Sequence, residues 1–220
     1  EPGILDLLKQ LVVSDESEDV RDEALRQMAT GWKQEPGTLD LLKQLVVSDE
    51  SEYVRREALR EIATGWKQDP GTLDLLKQLV VSDESEYLRQ EALREIGIGW
   101  KQEPGILDLL KQLVVSDESK YVRYEALRQI ATGWKQESRI LDLLKQLVAF
   151  HESEDVRYEA LQQMATDWKQ EPGIFEILYD NTLNDPFKRE FDFETNPRQI
   201  ALEAIVKQYL DHPQTLPLLQ

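Results

Sequence analysis

Residues 35–68 read EPGTLDLLKQLVVSDESEYVRREALREIATGWKQ, and this stretch decides the fold. Two apolar patterns flank the polar break SDES. The first predicts a helix starting at Pro36, where the missing backbone N–H costs nothing in a first turn. It carries Leu39, Leu42, Leu45 and Val46 at three- and four-residue spacing and ends near Val47. In the break, Ser51 offers an N-cap and Glu52 a negative charge for the first turn of the next helix. That second helix places Val54, Ala58, Ile62 and Trp66 four apart, with Leu59 and Ala63 widening the stripe. Gly65, beside the tryptophan, eases termination or close packing.

Outward from this stretch the pattern recurs without a gap. Trp32, Trp66, Trp100, Trp134 and Trp168 stand 34 apart, as do Glu1, Glu35, Asp69, Glu103, Glu137 and Glu171. A period between about 20 and 50 residues marks an array whose units are each too small to bury their own apolar face, so neighbours bury it. No row shows strand-like alternation, and the class is therefore all-α. The period divides the chain into repeats 1–34, 35–68, 69–102, 103–136, 137–170 and 171–211, then a partial repeat 212–220. The sixth repeat carries an inserted loop near 186–196, and in NPRQIALEAIVKQYL the rhythm returns, with Tyr209 in the tryptophan column.

Composition narrows the function. The chain has 43 Asp and Glu against 26 Lys and Arg, a net charge of -17, which repels nucleic-acid phosphates and anionic lipid at long range. Neither nucleic acid nor membrane is an expected partner. With no cysteine there is no disulfide framework, thiolate metal site or thiol nucleophile. No segment is apolar for long enough to span a bilayer, and the expected setting is cytoplasmic. The absence of an initiating Met and of recognisable polar caps is the signature expected of a piece of a longer protein.

Tetratricopeptide units also run to 34 residues, but no register of this row reproduces their Trp, Leu-Gly and Tyr order. The second helix instead resembles the HEAT repeat, which opens with an aspartate, a short gap, Val-Arg and then Ala-Leu. Here the five rows read DESEDVRDEAL, DESEYVRREAL, DESEYLRQEAL, DESKYVRYEAL and HESEDVRYEAL. The resemblance spans residues 1–170 and implies a right-handed α-solenoid of HEAT-like hairpins. It also implies a structural ladder in which Asp15, Asp49, Asp83 and Asp117 bond Arg21, Arg55, Arg89, Arg123 and Arg157, within or between adjacent repeats. A recurring charge at the base of a packed hairpin is tolerated when paired. His151 replaces the fifth aspartate, so a break in the ladder is expected there.

The strings GWKQEPGTLDLLKQ, VRREALREIA and NPRQIALEAIVKQYLDHPQTLPLL further resemble the C-terminal repeat arrays of bacterial, notably cyanobacterial, NACHT-type signalling NTPases. That likeness implies a sensor or autoinhibitory arm attached to a nucleotide-binding switch. No phosphate-binding loop occurs in these residues.

Nothing here reads as an enzyme, and no cofactor or metal is expected. The two histidines, His151 and His212, lie in separate turns without a second histidine nearby and read as solvated surface groups. The SDESE loops lack the central Gly of a calcium loop, and their serines read as caps rather than nucleophiles.

Binding has a better candidate in the columns that vary. On the second helix these are Asp19, Tyr53, Tyr87, Tyr121, Asp155; Asp22, Arg56, Gln90, Tyr124, Tyr158; and Arg26, Arg60, Arg94, Arg128, Gln162. Spacings of three and four put them on one face, away from the core. In HEAT-like arrays the second helices line the concave side, so Tyr53, Arg56, Tyr87, Arg94, Tyr121, Tyr124, Arg128 and Tyr158 are the candidate partner-binding residues. Tyr and Arg are favoured at interfaces for their area and hydrogen-bonding ends. The plainer account is that surface positions drift and the tyrosines merely pack across neighbouring helices. The expected partner is a protein or peptide, basic or of mixed charge. Phe187, Phe191 and Phe193 in the inserted loop are a second candidate. An alternative is a bilin lyase built on similar repeats, or its chaperone-type subunit. A DNA-repair glycosylase, which needs a basic concave face, is disfavoured by the charge.

Overall fold

The computed structural model describes residues 2–189 and 194–219, and among these it is all-α, with thirteen helices and no strand. They are α1 (Pro2–Ser14), α2 (Glu18–Gly31), α3 (Thr38–Ser48), α4 (Glu52–Gly65), α5 (Pro70–Ser82), α6 (Glu86–Gly99), α7 (Ile106–Ser116), α8 (Lys120–Gly133), α9 (Ser138–Phe150), α10 (Glu154–Asp167), α11 (Ile174–Asn184), α12 (Pro197–Gln208) and the single turn α13 (Thr215–Leu218). Two compact units result, Glu1–Ile106 and Leu107–Gln220.

In the first unit α1 packs on α2, α3 on α4 and α5 on α6, and the second helices α2, α4 and α6 pack on one another in sequence. The second unit repeats the plan, with α9 on α10, α11 on α12, and α10 between α8 and α12. This is the HEAT-type hairpin plan. Its cause is visible in one row: α3 buries Leu42, Leu45 and Val46 while α4 buries Val54, Ala58, Leu59, Ile62 and Ala63. Neither stripe is large enough to stand alone, and stacking supplies the missing partner surface. Each fully buried Leu or Ile contributes about 1.5–3 kcal/mol, so truncating Leu59 to Ala would cost roughly 2–5 kcal/mol.

The start of the first helix differs between rows. The expected start at Pro36 is not where α3 begins: Gly37 adopts φ 85° and the helix opens at Thr38. Gly105 and Gly173 behave alike, at φ 83° and 87°. Where the residue before proline is Asp69 rather than Glu, its carboxylate accepts the Gly71 N–H at 3.0 Å and α5 starts at Pro70. The short aspartate side chain reaches its own backbone two residues on and caps the helix. In the fifth row Arg139 replaces that glycine, a left-handed residue is disfavoured, and α9 starts at Ser138. Buried Thr38 and Thr72, which the apolar pattern did not single out, donate to the Trp32 and Trp66 carbonyls at 3.0 and 2.9 Å.

The tryptophans close the second helices. Trp66 N–H donates to the Ile62 carbonyl at 2.8 Å, and Lys33 of the preceding row sits 5.7 Å from its ring centroid; Lys67 and Trp100 repeat the contact at 5.8 Å. In the sixth row Tyr209 takes this place, edge-on to Phe175 at 5.5 Å.

Candidate functional site

The arginines at the hairpin bases reach forward. Arg21 donates from Nε to Asp49 Oδ2 and from Nη2 to Asp49 Oδ1, both at 3.1 Å, while its Nη1 donates to the Asp15 carbonyl at 2.8 Å. Arg55 likewise bonds Asp83 of the next row. Arg157 bonds Asp185 through Nε at 2.8 Å and Nη2 at 3.0 Å, with both side chains buried. Arg21, Arg55 and Arg157 therefore each hold their own row by a backbone carbonyl and the following row by a carboxylate. Arg89 and Arg123 make the first of these bonds, to the Asp83 and Asp117 carbonyls at 2.8 and 2.7 Å.

The aspartate has a second task. Oδ1 of Asp15, Asp49, Asp83 and Asp117 accepts the backbone N–H two residues on, at 2.9, 2.8, 2.9 and 2.8 Å. His151 keeps this task, its Nδ1 accepting from Ser153 N–H at 3.1 Å, but it offers no carboxylate to Arg123. Arg123 Nη2 donates instead to the Ser153 hydroxyl at 3.3 Å, and its buried Nε has no partner among the described residues. In the rows before, Ser51 and Ser85 donate to Glu18 and Glu52 at 2.5 and 2.6 Å; Lys120 occupies that column ahead of Ser153 and cannot accept. Asp185 completes the 34-residue column, yet the inserted loop that follows it hid it from the sequence reading.

Neither histidine is the solvated surface group expected from sequence. His151 is half-buried, and burial, then the Arg123 guanidinium, hold its imidazole below the ordinary value. His212 is half-buried too, 3.5 Å from the Phe175 ring centroid.

On the second helices of the first unit the variable face is tied into ion pairs. Arg26 contacts Asp22 at 2.9 Å and the Tyr53 hydroxyl at 3.0 Å. Arg60 Nε donates to Glu91 Oε1 and its Nη1 to Glu57 Oε1, both at 2.5 Å, while Arg56 and Arg94 reach Glu91 at 3.5 and 3.1 Å. Buried Glu91 is the hub. Desolvation would raise its pKa, but the three guanidiniums prevail and hold it below the ordinary value. One turn on, Glu61 and Glu95 are pushed up by burial and then by Glu57 and Glu91. Asp22, expected on the surface, is buried and raised by desolvation. Tyr87 is half exposed and makes no hydrogen bond among the described residues.

The second unit leaves its tyrosines open. Tyr121 and Tyr124 on α8 and Tyr158 on α10 surround a hollow of about 270 Å³, completed by Lys120, Asp155 and Thr195. None of the three hydroxyls has a hydrogen-bond partner among the described residues. Burial, then Glu159 for Tyr124 and Glu203 for Tyr158, raises both phenol pKa values. Thr195, at the end of the inserted loop, donates to Asp155 and closes one side. Arg128 is occupied by Glu125 at 3.2 Å. Phe187 is half-buried; Phe191 and Phe193 lie outside the described residues.

The column missed in the sequence is Glu23, Glu57, Glu91, Glu125, Glu159. Its signal was invariance from row to row, which reads the same for a core position as for a surface one. Glu91, Glu125 and Glu159 are buried. Glu159 Oε1 accepts from Gln163 at 2.6 Å, Oε2 has no partner among the described residues, and burial raises the pKa. Among the described residues no three His, Asp or Glu side chains converge as metal ligands would, and no helix is long and apolar enough to cross a membrane.

A family model described as HEAT repeats matches residues 5–98. No curated protein sequence matches. Among solved structures, the X-ray structure of YibA from Escherichia coli is similar over 100% of this chain and 74% of that one, with 19% identity and a TM-score of 0.57. At that identity the likeness concerns the fold alone. The family match concerns residues 5–98, and the helices of each unit pack in HEAT-like hairpins; HEAT repeats commonly bind proteins.

Proposed function

We propose that the chain is a non-catalytic binding module for a protein or peptide, and that residues 107–220 make the contact through the hollow of Tyr121, Tyr124 and Tyr158. The observation that carries this reading is a contrast between equivalent positions. In the first unit Tyr53 is bonded to Arg26 and Asp22, and Arg56, Arg60 and Arg94 pair with Glu91, whereas the three tyrosines of the second unit line one hollow with hydroxyls that have no partner among the described residues. Tyrosine provides large contact area at low entropy cost, so such a cluster is suited to anchoring a guest. Arg56 and Arg94 pair with Glu91, and Arg128 pairs with Glu125.

Neither the setting in a NACHT-type signalling NTPase nor the bilin-lyase alternative draws support from the comparisons, and the proposal depends on neither. Panning a random peptide library against the purified chain tests it. Enriched peptides should lose binding to the Tyr124→Ala and Tyr158→Ala variants and keep it for Tyr87→Ala. Enrichment indifferent to all three tyrosines of the hollow would overturn the reading.

A further inference from the structure

We infer that the tyrosine hollow receives one cationic side chain, an arginine or lysine projecting from a basic segment of the partner; this rests on the binding role proposed above. Three observations lead there independently. The first is the lining: three tyrosines from two neighbouring helices together with Asp155, whose carboxylate accepts from Thr195 at the same hollow. Ring faces carry negative electrostatic potential and attract a cation, more strongly when it is partly desolvated.

The second is the surrounding charge. Glu125, Glu159 and Glu203 lie close enough to act on Tyr124 or Tyr158, and together with Asp155 they outnumber the cations Lys120 and Arg128. Arg128 is already committed to Glu125. The hollow is therefore an anionic spot on a chain of net charge -17. An acidic guest would be repelled and a neutral one would forgo the attraction.

The third is that the chain already places a cation there. The Lys120 ammonium lies 5.5 Å from the Tyr121 ring centroid, at a position where the other rows carry Glu18, Glu52, Glu86 and Glu154. The rim thus holds a native cation–π contact, and Lys120 competes with an incoming cation for the same rings. Removing this internal competitor should tighten binding, a gain that misfolding cannot mimic.

The test is NMR titration of the intact chain with N-acetyl-arginine amide, with N-acetyl-lysine amide as a second cation and N-acetyl-glutamine amide as the neutral control. The cationic probes should shift the ring resonances of Tyr124 and Tyr158, and the neutral probe should not. Asp155→Asn should weaken cation binding about fivefold and Lys120→Gln should tighten it roughly twofold to threefold, magnitudes typical of single charge and cation–π contacts. Equal shifts from glutamine amide, or no effect of either substitution, would overturn the inference. If panned peptides need the tyrosines but not an Arg or Lys, the cation assignment fails while the binding role stands. Peptides indifferent to the tyrosines sink both.

Discussion

Arg157 and Asp185, 28 residues apart, face each other through two parallel hydrogen bonds, Nε to Oδ2 at 2.8 Å and Nη2 to Oδ1 at 3.0 Å. The same guanidinium donates from Nη1 to the His151 and Glu152 carbonyls, both at 2.8 Å. One buried side chain thereby ties the fifth hairpin to the sixth and closes the turn of its own row. The planar fork of arginine suits both tasks at once.

Removing the carboxylate leaves that guanidinium buried without a counter-charge. Asp185→Ala should cost about 3–5 kcal/mol in urea unfolding. Asp15, whose carboxylate accepts only the Ser17 N–H among the described residues, should cost about 1 kcal/mol when changed to Ala. Equal costs at the two positions would contradict the forward pairing.

Arg123 lacks the carboxylate that Arg21 and Arg157 enjoy. His151→Asp should supply it while preserving the turn to Ser153, raising stability by about 1 kcal/mol and hence the melting temperature. A lower melting temperature would show that the fifth joint cannot accept the geometry of the others.

The same histidine makes the protein sensitive to mild acid. Its folded pKa lies below the ordinary 6.5, through burial and then Arg123, so the unfolded chain takes up the proton first. Stability is fully present above pH 6.5 and declines as pH falls through and below that value. His151→Asn should flatten this slope between about pH 7 and 5.5 in urea titrations. An unchanged slope would place the sensitivity elsewhere.

Glu159 has the opposite sign. Burial raises its pKa above the unfolded value of 4.5, so its contribution to stability is lost as pH rises through the folded pKa. Glu159→Gln removes the unpaired buried charge and should stabilise the chain by about 1 kcal/mol at pH 7, with no gain at pH 4. The substitution should also weaken cation binding in the neighbouring hollow, separating the folding role from the electrostatic one.

How much of this could be read from residues alone varies with the distance over which each feature is decided. The helix pairs, their period of 34 and the apolar columns Val54, Ala58, Leu59 and Ile62 follow from side chains three and four apart, a local geometry that any observer of the sequence can apply. The helix starts were legible only in part. A Pro in the first turn suggests the same boundary in every row, yet Asp69 reaches the Gly71 N–H and Glu35 leaves Gly37 to turn left-handed. The variable columns pointed to one face but could not divide it. Tyr53 and Tyr124 occupy equally exposed helical positions, but Arg26 and Asp22 of the preceding hairpin bond the Tyr53 hydroxyl, and no described residue bonds that of Tyr124.

By itself, the sequence determined that this is a chain of helical hairpins that must lean on their neighbours, because no single row carries enough apolar surface to stand alone. Tertiary structure alone decided that Arg21, Arg55 and Arg157 reach forward to a carboxylate of the next row, that Asp185 rather than an earlier aspartate receives Arg157, and that row-invariant Glu91, Glu125 and Glu159 are buried. These pairings join residues about one repeat apart, and which side chains meet is set by how one hairpin rests on the next, a registration that no local spacing encodes.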